Sequence, residues 1–249
     1  MKNLSDPKII GLLIVVQLLN CLLVINEFPI SLDEPFSIFH SQQPISEFWH
    51  IFETGNNSPL HFVLLHGWIQ LFGVLPPAVR SLSLIFSLIA IVYLYKFGRK
   101  FFKKEYAVLL VGLFIFSRLN HYVAMEARMY GLFTLLFILI IYHFHAFLFE
   151  NKKVFIQLGL WNALLLYTHH LGAVVVLLEV LVFLVYWSRW NKQVFIQGAL
   201  SLVVGLVLYI PGIQLFMNRA EAFKSDRSWV SAAEYPDLWT NLVKLVNNT

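Results

Sequence analysis

Residues 59–75 read PLHFVLLHGWIQLFGVL, and whether this run crosses a bilayer or lies along it decides the topology of the whole chain. Taken alone it is ambiguous. The positive charges around it resolve the choice, because Lys and Arg accumulate on the cytoplasmic side of membrane helices. They cluster at Lys2/Lys8, at Lys96–Lys104 (KFGRKFFKK), at Lys152/Lys153 and at Arg189/Lys192. If 59–75 crossed, the strongest cluster, 96–104, would lie on the side opposite the N-terminus. If it lies along the outer surface, all four clusters fall on one side. The run therefore reads as an interfacial helix, opened by Pro59, a residue suited to a first helical position.

Composition supplies the bilayer. Hydrophobic residues make up 59% of the 249 residues, charged residues 13%, and mean hydropathy is +0.71. Soluble domains hold roughly 45–50% apolar and about 25% charged residues. The 23 phenylalanines read as lipid-facing helix surface. Apolar runs of span length fall at about 9–27, 79–97, 106–124, 130–149, 154–168, 171–187 and 193–215. The stretch 154–187 would measure about 51 Å as one helix, against a bilayer core of about 30 Å, so it is split at Thr168-His169-His170. The first run is too long for a signal-peptide core and is followed by no small-residue cleavage site, so it reads as a retained anchor.

The expected fold class is thus all-α: a polytopic transmembrane bundle of about seven spans, forming one domain over 1–249 in a cell membrane. The N-terminus is cytoplasmic. The outside segments are 27–78, carrying the interfacial helix 59–75, then the region 118–130, the turn 168–170 and a tail over 216–249. The net charge of +4 follows the membrane topology and is no nucleic-acid footprint. The single cysteine, Cys21, excludes an intrachain disulfide framework and any multi-cysteine metal cluster.

The outside segments hold the residues capable of chemistry. The first carries Glu27, Asp33, Glu34, Glu47 and Glu53, with no Lys or Arg before Arg80. An acidic, solvated loop gives this pattern too. Asp33-Glu34, however, is followed at once by Pro35 and an aromatic turn, and a carboxylate there can take a proton or hold a divalent cation. Arg80 opens the span 79–97 and reads either as a snorkelling anchor or as an anion site, since a guanidinium forks onto phosphate oxygens. Arg118, His121 and Tyr122 are followed by Glu126, Arg128 and Tyr130 at the same depth. Charges placed there are costly unless paired or wetted, so Glu126 and Arg128 either neutralise each other or line a shared cavity. His169 or His170 either caps a helical turn or joins Asp33, Glu34 or Glu126 at a divalent metal. Glu179 lies in mid-span, where a carboxylate is either protonated and hydrogen-bonded or functional. No phosphate-binding glycine loop, GxSxG or HExxH is present.

The order of these features is familiar: one span, a loop with Asp33-Glu34, Ser58-Pro59-Leu60 opening a surface helix, PPAVRSLS at 76–83, EARMYGL at 126–132, and YTHH at 167–170. Taken together it resembles the GT-C glycosyltransferases of the protein O-mannosyltransferase and aminoarabinose transferase type. The resemblance implies a polyprenyl-phosphate sugar donor and an extracytoplasmic acceptor, with the lipid bilayer as the medium. It implies Asp33, with Glu34 beside it, as catalytic base or cation ligand, and Arg80 at the lipid-linked phosphate. It places Glu126, Arg128, Tyr130 and His169 at the substrate cavity, where the chemistry of the residues themselves makes Asp33, Glu126 and His169 the candidate ligands of a divalent metal ion. Two departures stand out. Asn57-Ser58-Pro59 replaces a frequent His-Pro-Pro, and family members carry further spans and often an outside C-terminal domain, so 216–249 reads as the start of a missing C-terminal part. A transporter or flippase, favoured by Glu179, and a catalytically incomplete scaffold are the competing readings.

Overall fold

The computed structural model describes residues 4–27, 31, 33–54, 59–150, 152–185 and 192–224. Asn57, Ser58, Arg189 and the stretch 225–249 of the tail lie outside them. Among the described residues there is no strand. The helices run α1 (Asp6–Leu22), α2 (Glu34–Ser41), a 3-10 turn (Ile45–Glu47), α3 (Phe48–Thr54), α4 (Pro59–Phe72), α5 (Pro76–Phe101), α6 (Lys104–Ile115), α7 (Arg118–Met125), α8 (Tyr130–Glu150), α9 (Phe155–Thr168), α10 (Gly172–Val185) and α11 (Lys192–Lys224). Each of the seven apolar runs expected from the sequence holds helix among its described residues, and the chain is an all-α bundle of the membrane type.

Length separates the seven. Helices α5 and α8, and residues Lys192–Leu215 of α11, are long and apolar enough to cross a bilayer, and α6 with α7 makes a fourth crossing if the two count as one. Helix α1 has 17 residues, and α9 and the described part of α10 have 14 each. At 1.5 Å per residue, 14 residues reach about 21 Å, short of a full hydrocarbon core. The expected straight span 106–124 is in fact broken by 61°. The cause is local. Ser117 adopts an extended backbone, and its hydroxyl accepts the Asn120 N–H at 3.1 Å, so a new helix is capped there.

The bend has a tertiary counterpart. It brings Asn120 onto Gln17 of α1 and Ser87 of α5, and the three close a buried ring. Ser87 Oγ donates to Asn120 Oδ1 at 2.9 Å, Asn120 Nδ2 to Gln17 Oε1 at 3.3 Å, and Gln17 Nε2 to Ser87 Oγ at 3.1 Å. Amide and hydroxyl side chains satisfied in this way join helices where apolar burial alone gives little preference between partners. Below the ring, Ile9 and Leu13 of α1 pack on Ile91, Tyr95, Ala107, Val111 and Ile115.

Helix α5 is the hub. Leu75 is extended and Pro76-Pro77 start the helix, fixing φ where no N–H partner is needed. Just before it, Gly73 takes φ +80° and its N–H returns to the Ile69 carbonyl at 2.8 Å, so α4 ends at Phe72 and the chain reverses onto α5. Trp68 then donates to the Ala78 carbonyl at 2.8 Å. Thus 59–75 does form the expected helix, packed along α5 and shorter by three residues.

At the other end of α5 the basic clusters converge. Arg99 meets Asp6 of α1, Lys100 meets Glu150 of α8, Lys152 meets the same Glu150, and Lys104 reaches the Leu4 carbonyl. The outward faces of α6, α10 and α11 remain apolar, with Leu109, Leu113, Leu177, Leu181, Leu206 and Ile210 all exposed. Apolar surface of this extent is what a lipid-facing bundle presents.

Candidate active site

The first helix of the Asp33 segment splits two adjacent carboxylates. Asp33 sits at the N-cap of α2, Glu34 begins it, and Pro35 follows in its first turn. Helical geometry turns successive side chains about 100° apart, so one goes inward and the other out. Glu34 goes in. Its Oε1 accepts Arg80 Nε at 3.0 Å and the Ala127 N–H at 2.9 Å, and its Oε2 accepts Arg80 Nη2 at 2.8 Å and the Ser31 N–H at 3.2 Å. Arg80 also donates from Nη1 to the Ile25 carbonyl at 2.8 Å. Side-chain exposure is 1% for Arg80 and 2% for Glu34, so both carboxylate oxygens and the guanidinium fork are committed inside the protein.

This pair anchors an irregular segment. Residues Glu126–Met129 link α7 to α8 without helix, and Glu126, Ala127 and Met129 are buried. Buried non-helical backbone survives at membrane depth only when protein groups satisfy it. Glu34 takes the Ala127 N–H. Ser83 Oγ donates to the Glu126 carbonyl at 2.6 Å, and His61 Nε2 lies 3.3 Å from the Ala127 carbonyl. Burial lowers the His61 pKa to about 4, so the ring is neutral and Nε2–H is the donor to Ala127. Gly131 lets the chain pass closely just beyond, because a Cβ there would stand 3.0 Å from the Val123 carbonyl oxygen and 3.3 Å from Ser83 Cβ and would press both aside.

The strapped segment presents Arg128. Its Nη1 donates to Ser37 Oγ at 2.9 Å, its Nη2 donates to Asp33 Oδ2 at 3.2 Å, and Nε is buried with no partner among the described residues. Asp33 is 62% exposed against 11% for Arg128. The Arg128 guanidinium lies 5.9 Å from the centre of the Tyr130 ring, and Tyr130 neighbours His169 at 6.4 Å between centroids. His169 ends α9. Its Nδ1 accepts the Leu171 N–H at 3.1 Å, and its ring meets Phe133 edge-on at 5.9 Å.

Tyr130 and His169 also belong to the wall of a cavity of about 720 Å³. From them it follows α8 past Phe133, Thr134, Phe137 and Ile141 and faces Leu94 and Phe97 of α5. Over the eleven residues from Tyr130 to Ile141 a helix rises about 17 Å. The cavity is therefore a long apolar slot whose Tyr130–His169 end lies near Arg128.

Glu126 accepts the Tyr122 hydroxyl at 3.0 Å, and burial raises its pKa against hydrogen bonds from Ser31 and Tyr122 and the charge of Arg128. The three residues expected to share a cation do not gather. Asp33 engages Arg128, Glu126 engages Tyr122, His169 engages a backbone N–H, and no group of three His, Cys, Asp or Glu suited to a metal occurs among the described residues. The remaining expectations separate into two layers. Glu34, Arg80 and Glu126 lie within the packing, while Asp33 is exposed and Arg128, Tyr130 and His169 are partly buried beside it. Sequence reasoning passed over Ser37, Ser83 and His61. The signal for His61 was present, since it shares one face of α4 with the buried Leu65 and Ile69 at four-residue spacing.

A family profile described as dolichyl-phosphate-mannose-protein mannosyltransferase matches residues 56–213. No curated protein and no solved structure matches the chain. The matched stretch holds Arg80, Glu126, Arg128, Tyr130 and His169, whereas Asp33 and Glu34 precede it. Covering more than half of the residues, and joined to an all-helical bundle of membrane type, the match assigns the chain to the dolichyl-phosphate-mannose-protein mannosyltransferase family, membrane glycosyltransferases of the GT-C type.

Proposed function

We propose that the chain moves a sugar from a polyprenyl-phosphate donor to an extracytoplasmic acceptor, with Asp33 as the general base and Arg128 facing the donor phosphate. One observation carries this reading. Arg128 is held between the exposed carboxylate of Asp33 and the Tyr130 end of a long apolar slot. A polyprenyl tail suits such a slot, and a phosphate at its Tyr130 end would lie beside the Arg128 guanidinium.

In the proposed reaction an acceptor hydroxyl attacks the anomeric carbon opposite the phosphate, and its proton passes to Asp33. The bond from that carbon to the phosphate oxygen breaks, and polyprenyl phosphate leaves as an anion. Attack from that side inverts the anomeric centre. Arg128 offsets the charge that develops on the leaving oxygen, the kind of preorganised stabilisation that contributes most in water-poor sites. Arg80, with its fork on Glu34, acts in this reading at one remove: it holds the carboxylate that straps Ala127, and so sets where Arg128 stands.

Orientation follows from charge. Arg99, Lys100, Lys104 and Lys152 gather at one end of the bundle, and Asp33 and Arg128 lie toward the other. We assign the basic end to the cytoplasm and the Asp33 end to the outer face of the cell membrane.

The test is turnover of radiolabelled polyprenyl-phosphate mannose by membrane vesicles carrying the chain. Asp33→Asn should lower turnover by about 10²–10⁴-fold, the range for a positioned general base. A folded Asp33→Asn protein with wild-type turnover would remove Asp33 from the reaction. Vesicles that move the donor across the bilayer without releasing polyprenyl phosphate would favour a flippase instead.

A further inference from the structure

Helix α10 buries two of its residues, Gly172 and Glu179, two turns apart. The rest of its described length is exposed or half-exposed and apolar. The helix therefore turns its only carboxylate into the protein. There Glu179 Oε2 accepts Asn162 Nδ2 of α9 at 2.6 Å, which leaves the Asn162 carbonyl oxygen to find another partner.

It finds none, and neither do its neighbours. Asn162 Oδ1, Glu179 Oε1 and Ser201 Oγ are all buried without a hydrogen-bond partner among the described residues. All three side chains line one cavity of about 30 Å³, walled by Phe147, Leu158 and Phe183. One turn before Ser201, on the same face of α11, Gln197 carries a fourth such oxygen, Oε1. Each of these four residues is more than nine-tenths buried. An orphaned buried polar group is costly, so the three that surround one cavity call for an occupant.

The chemistry of the oxygens narrows that occupant. Three of the four are pure acceptors when Glu179 is ionised, and acceptors cannot satisfy one another. A water molecule could donate to Asn162 Oδ1 and Glu179 Oε1 and accept from Ser201, but it would leave the carboxylate charge unbalanced. A cation serves the three oxygens of the cavity at once and balances that charge. One carboxylate provides one negative charge, which a monovalent ion neutralises in a low-dielectric interior where an unbalanced charge is costly. Carboxylate, amide and hydroxyl oxygens are hard ligands of the kind that alkali and alkaline-earth ions take. Water-sized occupants need roughly 10–15 Å³, so the space admits a small dehydrated ion and excludes organic ligands. The frame around it is close-set. A Cβ on Gly159 of α9 would stand 2.6 Å from the Ser201 carbonyl oxygen and 2.8 Å from Val204 of α11.

We propose that Glu179, Asn162 and Ser201 form a monovalent-cation site of sodium size at the junction of α9, α10 and α11. The ion joins three helices by ligands from each, and it is independent of the transferase reading, since no residue of the Asp33–Arg128 edge takes part.

The test uses the purified full chain in detergent, with ²²Na⁺ equilibrium binding and thermal unfolding in sodium chloride against N-methylglucamine chloride at constant ionic strength. Saturable binding approaching one ion per chain and a sodium-specific rise in Tm are expected. Glu179→Gln should abolish both, and Ser201→Ala, which keeps the charge, should weaken apparent affinity about tenfold. No saturable ²²Na⁺ binding, or a Tm that follows ionic strength whatever the cation, overturns the site and leaves a buried water or a protonated Glu179. Undiminished sodium binding by folded Glu179→Gln also overturns it. If Glu179→Gln does not fold, Ser201→Ala decides: unchanged affinity there counts against the site.

Discussion

Glu34 and Arg80, 46 positions apart, close a two-pronged ion pair at 3.0 and 2.8 Å in a place where neither side chain reaches solvent. The same carboxylate accepts the Ala127 N–H, so the pair governs the path of the segment that carries Arg128. Removing one member of a buried, hydrogen-bonded pair leaves the other charge uncompensated. Glu34→Gln and Arg80→Met should each destabilise the protein by about 3–5 kcal/mol, and the double variant should lose less than their sum. Thermal unfolding in detergent checks both statements, and strict additivity would show that the two residues do not act as a unit.

Asp33 and Arg128 should behave in the opposite way. Their ion pair is open on the Asp33 side, and pairs of that kind contribute about 0–1 kcal/mol. Asp33→Asn should therefore leave Tm within a degree or two while turnover collapses. Arg128→Lys keeps the charge but loses the fork, so it should raise KM for the donor more than it lowers stability. A Tm loss in Asp33→Asn as large as that in Glu34→Gln would place Asp33 in the structural layer.

His61 gives a pH signature. Its pKa falls from 6.5 to about 4 in the folded protein, because burial disfavours the charged ring. The unfolded chain therefore takes up this proton first as pH drops. The stability contributed by a neutral His61 is fully present above about pH 6.5 and is lost progressively down to about pH 4, with an upper limit on the order of 3 kcal/mol. His61→Gln retains a donor for the Ala127 carbonyl and does not titrate. Its unfolding profile should be flatter than wild type between pH 6.5 and 4, and parallel profiles would assign the acid sensitivity elsewhere.

The slot along α8 should discriminate by tail length. Thr134 lines it midway between Tyr130 and Ile138. Thr134→Trp should suppress turnover of a long polyprenyl donor and spare a donor with a short prenyl chain. Equal loss with both would show that the tail does not occupy the slot.

Gly131→Ala tests the strap without touching Asp33 or Arg128. Its Cβ would press on the Val123 carbonyl and on Ser83, which itself holds the Glu126 carbonyl. A displacement of Arg128 by even an ångström lowers rate, because catalysis depends on close positioning. The expected outcome is a fall in kcat of about 10-fold or more with the donor KM little changed. Wild-type kcat would mean that the segment accommodates the methyl group.

Much of the architecture was legible in local sequence, because hydropathy, charge and proline placement are properties of neighbouring residues. The seven apolar runs, the helical hairpin split at His169 and the helix opened by Pro59 could be read from the chain alone. So could the convergence of Arg99, Lys100, Lys104 and Lys152 at one end, since the positive-inside bias acts on short segments. The bend at Ser117 was less visible, since the polar residues from Ser117 to His121 fit the outer end of a straight span equally well and the ring of Gln17, Ser87 and Asn120 joins three distant helices.

Which polar residues face inward was decided by the tertiary structure alone. Asp33 and Glu34 are adjacent and chemically alike, and nothing local says which is buried. Arg80 arrives from α5 with a fork that one of them fills, and the Ala127 N–H completes that choice. The sequence determined that acidic and basic groups meet near the Asp33 end of a membrane bundle. The packing of α2, α5 and the α7–α8 link decided that Glu34 and Arg80 hold the fold and that Asp33 and Arg128 remain at its edge, because burial tolerates charge only where every partner is in place.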